Sequence, residues 1–500
     1  MSHISGEPGN PYEPPGGRPG FGMFPDGNRP GEEEDAARWN DERRRARVRA
    51  GVSWLIILGV LGGIIALNAA ASGAAGKTDQ TDPKQVSTFA LELLGRYALG
   101  AQHLVGSMGS PEAASATWAR QIDATILNPV DKVRGAVLAA ELVGVDEAIA
   151  RLDSVIQDDA LPEALRSDAR SLKTIYLEGT GALAPGEPDH LRDRHDWIAE
   201  LALAYGLPES DPARKAVLEP ASRTFITAVA AIGIAGMALV AGLALGILAI
   251  VLLASGKLRF RFDRMATMSP LHRAALLEAF ALFMAGLLLV QVVGQAAVAT
   301  VGVDISSALI WLLPVLLLWP LARGMSKEQL RHALGWTRGA PDHRGRRPGV
   351  AAQVGQGLIG YLAGLPIAAV GVLVALVLVA ISGAKPSHPT VEEAATAGFW
   401  NVLAIYMLAC VWAPLVEESV FRGAFYQYLR GFAGPVISAL VVAFFFAAAH
   451  PQGMAFVPAL MGLAVVFALI REWTGSLIGC AAAHAVHNGF MITAILLMTA

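Results

Sequence analysis

Charge is scarce in this sequence. Asp, Glu, Lys and Arg make up 16% of its 500 residues, against roughly 25% in an average soluble domain. That deficit excludes an ordinary string of soluble domains, whose solvated surfaces need more charge. Net charge is also small, -3 from 39 Lys+Arg and 42 Asp+Glu, which excludes a strongly basic nucleic-acid binder. Cysteine is nearly absent: Cys410 and Cys480 both sit in apolar runs. They cannot supply a disulfide framework or a thiolate zinc finger. What is abundant is apolar, with 54% hydrophobic residues and a mean hydropathy of +0.47. Fifty-two glycines suit apolar helices that pack closely through small residues. The predicted fold class is all-α: a multi-pass transmembrane helix bundle with an inserted soluble helical domain.

The chain is not uniform. Residues 1–31 hold seven Pro and eight Gly. Such a stretch buries too little apolar surface to offset its ordering entropy, so 1–50 is predicted to be a disordered, then basic, cytoplasmic leader. Arg43, Arg44, Arg45, Arg47 and Arg49 directly precede an apolar run over 51–76, and a basic flank pins that end inside. Leader length and full spanning length favour an uncleaved anchor over a signal peptide. Residues 77–222 regain charge, and Phe89, Leu93, Leu94, Tyr97 and Leu104 recur at helical spacing. A soluble helical domain used for contacts with an unidentified partner is predicted there, with no catalytic constellation.

Apolar runs dominate from 223 onward. Spanning takes about 20 apolar residues. Transmembrane helices are predicted over 223–397, with a further group over 398–498. Candidate spans are 224–254, 274–302, 306–322, 353–382, 400–422, 433–450, 454–470 and 475–498, about nine with the anchor. Loops 256–273 and 323–349 are rich in Arg, and the alternate connections are not. The bias puts both loops in the cytoplasm and 77–222 outside. The arginines before the anchor give the same orientation independently.

Ionisable side chains inside spans are costly and mark function by default. They concentrate in the last hundred residues. Glu417 and Glu418 are adjacent within an apolar helix. Arg422, four residues after Glu418, shares its face and can pair with it. Glu417 lies about 100° around the helix, free for another task. His450 closes the following span, and His484 and Asn488 share one face of the last. At about 1.5 Å per residue, Glu417, His450, His484 and Asn488 lie roughly 14–25 Å from the cytoplasmic ends of their helices. His487 points off the His484–Asn488 face and reads as structural. Cys480 reads as packing, Glu278 as a snorkelling carboxylate, and Gln291 and Gln295 as polar glue between helices.

EExxxR, FxxxH and HxxxN on successive hydrophobic helices resemble the CPBP family, the CAAX-protease or Rce1-like intramembrane proteases. The resemblance covers about 398–495 and departs at no motif position. It implies an intramembrane endopeptidase acting on a membrane-associated peptide or protein. Glu417 would be the base that activates water, with His450 helping to hold it. His484 and Asn488 would stabilise the oxyanion, and Glu418 with Arg422 would be a supporting pair. Such chemistry needs a base matched to the working pH and preorganised donors. No cofactor is required by this scheme. Zinc bound by Glu417, His450 and His484, with a metal-activated water, is the alternative. HExxH is lacking, and Asn488 is a poor zinc ligand. Two other readings stay open: a non-proteolytic scaffold or immunity-type binding protein, and a proton-relaying transporter. Lack of a second EExxxR or HxxxN repeat counts against the transporter.

Overall fold

The computed structural model describes residues 32–74, 89–106, 111–126, 128–260, 268–303, 305–339, 346–382 and 398–499. The prediction for 1–31 lies outside the described residues. Among the described residues there are helices and no strands. The chain divides into two compact units. One draws on residues 1–69, 238–387 and 406–489, the other on 70–237, 388–405 and 490–500.

The second unit contains α2 (Phe89–Val105), α3 (Pro111–Thr125), α4 (Pro129–Leu142), α5 (Val145–Ile156), α6 (Glu163–Glu178), α7 (Glu187–Leu203) and the start of α8 (Pro212–Ala254). The chain chemistry sets these boundaries. Asn128 caps α4 by accepting from the Asp131 N–H, and Pro129 follows at the first helical position, where its missing N–H costs nothing. The helices enclose Leu91, Leu138, Leu152, Leu165, Leu172 and Ile198. Gly100 is required by packing: a Cβ there would lie 2.2 Å from the Ala221 carbonyl oxygen. The sequence boundary at 222 falls inside α8, so the break there is one of composition and not of helix.

The membrane unit starts with α1 (Glu32–Ala74). Residues 32–50 are therefore helical, which corrects the disordered leader over that stretch. The physical reason is local: this segment is rich in Ala, Arg and Glu, all good helix formers, with neither Pro nor Gly. The helix simply extends into the span. The remaining helices are α9 (Pro270–Val301), α10 (Ser306–Ala322), α11 (Lys327–Leu334), α12 (Val350–Ser382), α13 (Phe399–Leu429), α14 (Pro435–Ala448), α15 (Val457–Thr474) and α16 (Ile478–Thr499), of which α13 before Tyr406 and α16 after Gly489 are grouped with the other unit.

Among the described residues, seven helices are long and apolar enough to cross a membrane, or eight if the bent α10–α11 pair is one span. This is a multi-pass membrane protein. Two of the candidate spans fall short of regular crossings. Pro314 and Pro320 interrupt α10, which tightens to three-residue turns over Ile310–Leu318. It then bends by 119° into α11. Helix α14 has 14 residues, roughly 21 Å long, against a hydrocarbon core of about 30 Å.

Small residues let the helices touch. A Cβ on Gly242 of α8 would meet the Leu362 carbonyl of α12 at 2.3 Å, and one on Gly371 would meet the Pro458 carbonyl at 2.3 Å. The core between α1, α9, α13 and α14 is aromatic. Phe280 stacks on Phe425 at 4.0 Å, while Trp54, Phe421 and Phe445 meet these rings edge-on. Each such pair adds about 0.5–1.5 kcal/mol beyond area burial.

Polar contacts fasten the ends. Glu278 accepts from Arg49, from Trp319 Nε1 at 2.7 Å and from Arg323 Nε at 2.9 Å. Its side chain is 11% exposed, so it is a buried hub and not a snorkelling carboxylate. A second hub lies at Glu472, where Tyr426 donates at 2.7 Å and Arg430 also pairs.

Candidate active site

The site is built around a helix that does not run regularly. Helix α13 contains two wide turns with i→i+5 bonding, Leu408–Trp412 and Glu418–Phe425. Such π-type turns often fall at functional sites. Pro414 gives the first one a consequence. The Ala413 N–H bonds to Leu408 O, and Pro414 has no N–H to offer Ala409 O. The Asn488 side chain donates to that carbonyl at 2.7 Å. One amide N–H of Asn488 is thus committed to positioning α16 against α13.

The second wide turn carries the EExxxR residues. Glu418 and Arg422 are completely buried, with Arg422 Nη1 3.1 Å from Glu418 Oε1. This is the pairing the four-residue spacing predicts. Arg422 Nη2 donates to Ala464 O at 3.1 Å. The guanidinium lies over Phe446 at 4.6 Å and over Phe467 at 5.2 Å. The pair is dry: among the described residues Arg422 Nε and Glu418 Oε2 are buried without a hydrogen-bond partner, and only the Ala464 carbonyl, the His484 ring and the aromatic faces replace water.

His484, 4% exposed, joins the pair. Its Nδ1 lies 2.9 Å from Glu418 Oε1. An ionised carboxylate only accepts, so Nδ1–H is the donor. Nε2 then faces the other carboxylate, 3.9 Å from Glu417 Oε2. Phe467 stacks on the imidazole at 5.1 Å and holds its plane. Glu417 keeps 18% of its side chain exposed, whereas Glu418 has none. The two adjacent glutamates therefore occupy different environments, as their 100° separation implies.

His450 stands apart. It sits just beyond the end of α14, where its Nδ1 donates to the Phe446 carbonyl at 2.6 Å, and Pro451 follows. Its ring packs on Phe446 at 4.6 Å, and that phenyl meets His484 edge-on at 6.3 Å. The structure thus brings together Glu417, Glu418, Arg422 and His484 and places Asn488 one turn beyond His484. It does not join His450 to the carboxylates. The proposed zinc donors do not converge: among the described residues, no three His, Cys, Asp or Glu side chains are grouped to hold an ion.

His487 bonds to the Tyr361 hydroxyl at 2.9 Å, away from the carboxylates, and the buried Cys480 Sγ faces Phe467 O at 3.4 Å. Both follow their structural readings. Sequence reasoning missed the aromatic frame of Phe446 and Phe467, and Trp336, which donates to Ser419 Oγ at 2.8 Å. FxxxH flagged Phe446 only as part of a motif. Trp336 lies in the connection between α11 and α12, outside the apolar runs, and carried no signal.

Comparison with known proteins falls on this segment. Residues 399–490 match the family model described as type II CAAX prenyl endopeptidase Rce1-like. A curated relative, the membrane-embedded CAAX protease MroQ of Staphylococcus aureus (strain USA300), is 29% identical over 126 residues. The aligned stretch is 24% of this chain and 50% of that relative, so the chain spans about half the length of the curated protein it matches. No solved structure matches. The C-terminal helices, with their EExxxR, FxxxH and HxxxN motifs, are a CAAX-protease-type (CPBP) segment.

Proposed function

We propose that the protein is an intramembrane endopeptidase that hydrolyses a peptide bond of a membrane-associated protein or peptide. The carrying observation is the Glu417–His484–Glu418 line, with the imidazole between two carboxylates of unlike exposure. A separation of 3.9 Å between His484 Nε2 and Glu417 Oε2 is too long for a hydrogen bond but suits one bridging water.

In this reading Glu417 takes a proton from that water as its oxygen attacks the substrate carbonyl carbon. The carbonyl π-electrons move to oxygen, and protonated His484 donates through Nε2–H to the oxyanion. Glu418 holds Nδ1–H, fixes the ring's orientation and balances its charge, while Arg422 pairs with Glu418 from the other side. When the intermediate collapses, the C–N bond breaks and Glu417 passes its proton to the leaving amine. Glu418 becomes a positioning residue for His484, a larger part than a supporting ion pair. Asn488 supports the π-type turn through Ala409 O, and its second amide N–H is available as an oxyanion donor. His450 contributes from across Phe446. No step runs through a metal.

A scaffold or immunity-type function is the second reading. It is favoured by one observation: His450 and Asn488 both bond to backbone carbonyls. Incubating purified protein with candidate membrane peptides separates the two. Cleavage by wild type that is lost in a folded Glu417→Gln variant supports the protease; cellular function that survives this change supports the scaffold.

We also propose that the arginine-rich end is cytoplasmic and that 77–222 lies outside. Convergence of Arg49 and Arg323 on Glu278 is consistent with that topology. Labelling of introduced cysteines at Thr337 and Glu178 from opposite sides would support it, and labelling from the same side would overturn it.

A further inference from the structure

A cavity of about 890 Å³ opens in the membrane unit, away from the carboxylates. It lies between the first turns of α1, the start of α9 and the turn after α13. Trp39, Arg43 and Arg47 line it from α1, Arg273 from α9, and Tyr428 and Arg430 from the end of α13. Among the described residues no carboxylate lines it. Arg430 is engaged by Glu472 and donates to Ala433 O at 2.8 Å. Arg273 Nη1 reaches the Gly431 carbonyl at 3.4 Å. Arg43 lies over the Trp39 ring, 5.6 Å from its centroid. Neither Arg43 nor Arg47 enters a salt bridge among the described residues, and both are exposed.

The surroundings define the ligand further. Within one to four helical turns α1 becomes apolar, and Leu55 and Leu58 are 74% and 56% exposed. These face what the composition and length of α1 require to be hydrocarbon. The cleft thus has cations at its mouth, aromatic rings at the level where membrane interfaces favour them, and an apolar helix face leading away. A soluble phosphate would use only the first of these features. Basic pockets between helices at the cytoplasmic face are suited to lipid phosphate.

We propose that this cleft binds the headgroup phosphate of an anionic phospholipid, with Arg43 and Arg47 as its principal contacts and the acyl chains along α1. The site is independent of catalysis and rests only on the membrane reading. It also touches the end of the helix that carries Glu417 and Glu418.

Two double variants test it in the full-length protein in neutral detergent. Arg43→Gln with Arg47→Gln changes the cleft. Arg44→Gln with Arg45→Gln removes the same charge from the same helix but from residues that do not line the cavity. Binding of dioleoylphosphatidylglycerol, dioleoylphosphatidylcholine and inorganic phosphate is measured by titration, with thermal melting to check folding. Wild type is expected to prefer phosphatidylglycerol by at least about ten-fold. At roughly five-fold per arginine, the cleft variant should lose about thirty-fold and the control pair much less. Equal losses in both pairs would mean diffuse attraction to the basic helix and would overturn the site. Equal affinity for the two lipids would overturn it as well. Inorganic phosphate binding as tightly as phosphatidylglycerol would replace the lipid by a free anion.

Discussion

Two buried clusters in this protein have the same three ingredients. In the helical unit, Asp168 Oδ2 lies 3.0 Å from His195 Nε2 and 3.3 Å from Arg194 Nε. In the membrane unit, Glu418 Oε1 lies 2.9 Å from His484 Nδ1 and 3.1 Å from Arg422 Nη1. Carboxylate, imidazole and guanidinium are thus no signature of catalysis. The difference lies on the far side of the ring. His195 Nδ1 is buried without a hydrogen-bond partner, so the ring ends a structural network. His484 Nε2 faces a second, partly exposed carboxylate. In the proposed mechanism a proton is exchanged there with the substrate, whereas at His195 it has nowhere to go.

The largest expected effect tests whether the membrane cluster is held by charge. Glu418→Gln leaves Arg422 buried without its counter-charge, and loss of one partner of such a pair costs about 3–5 kcal/mol. Unfolding in detergent should show it, as a fall in midpoint much larger than that of Glu417→Gln. Equal midpoints for the two variants would erase the distinction between the glutamates.

Next come the two histidines. His484→Ala should lower the cleavage rate by about a hundred- to thousand-fold, as losing an oxyanion donor does, with the protein still folded. His195→Ala should leave the rate within a few-fold of wild type. If His195→Ala costs as much as His484→Ala, the two clusters do not differ as described.

Asn488→Ala should have a smaller effect. It leaves Ala409 O without its donor, worth roughly 1–3 kcal/mol, and measurable residual cleavage should remain. Complete loss of activity with unchanged melting would assign Asn488 to the reacting atoms alone.

The smallest effect is on pH. Burial is the main cause of a depressed His195 pKa, opposed by Asp168 and assisted by Arg134 and Arg194. The folded unit therefore favours the neutral ring. Its contribution to stability is complete above the unfolded value, about 6.5, and is lost as pH falls through the lower folded value. Melting of the 77–222 unit within the whole protein should weaken on acidification below about 6.5, and His195→Gln should flatten that slope. A slope unchanged by the substitution would contradict the assignment.

Much of this was readable from spacing. All the apolar runs are helices because twenty-odd apolar residues in lipid have no other way to satisfy their backbone. The Glu418–Arg422 pair follows from i,i+4 geometry, and the meeting of Glu417 with His484 agrees with their similar estimated depths. Depth says nothing of azimuth, however. His450 lies at a suitable height yet turns to its own helix end behind Phe446. The wide turns of α13 depend on tertiary packing, so the Asn488–Ala409 bond was illegible even though Pro414 was in view. Residues 32–50 form a helix because the Pro and Gly that mark 1–31 stop at residue 31 and good helix formers follow.

The central claim is that Glu417 delivers water to the scissile carbonyl. It is tested most directly by cleaving a membrane peptide in water enriched in oxygen-18, with purified wild type and Glu417→Gln, each with and without 1,10-phenanthroline. The account predicts one heavy oxygen in the new carboxylate with wild type, little effect of the chelator, and no product from a normally melting Glu417→Gln. Wild-type rates from Glu417→Gln would contradict it. So would chelator-abolished activity restored by stoichiometric zinc, which would move the activation of water from the carboxylate to a metal.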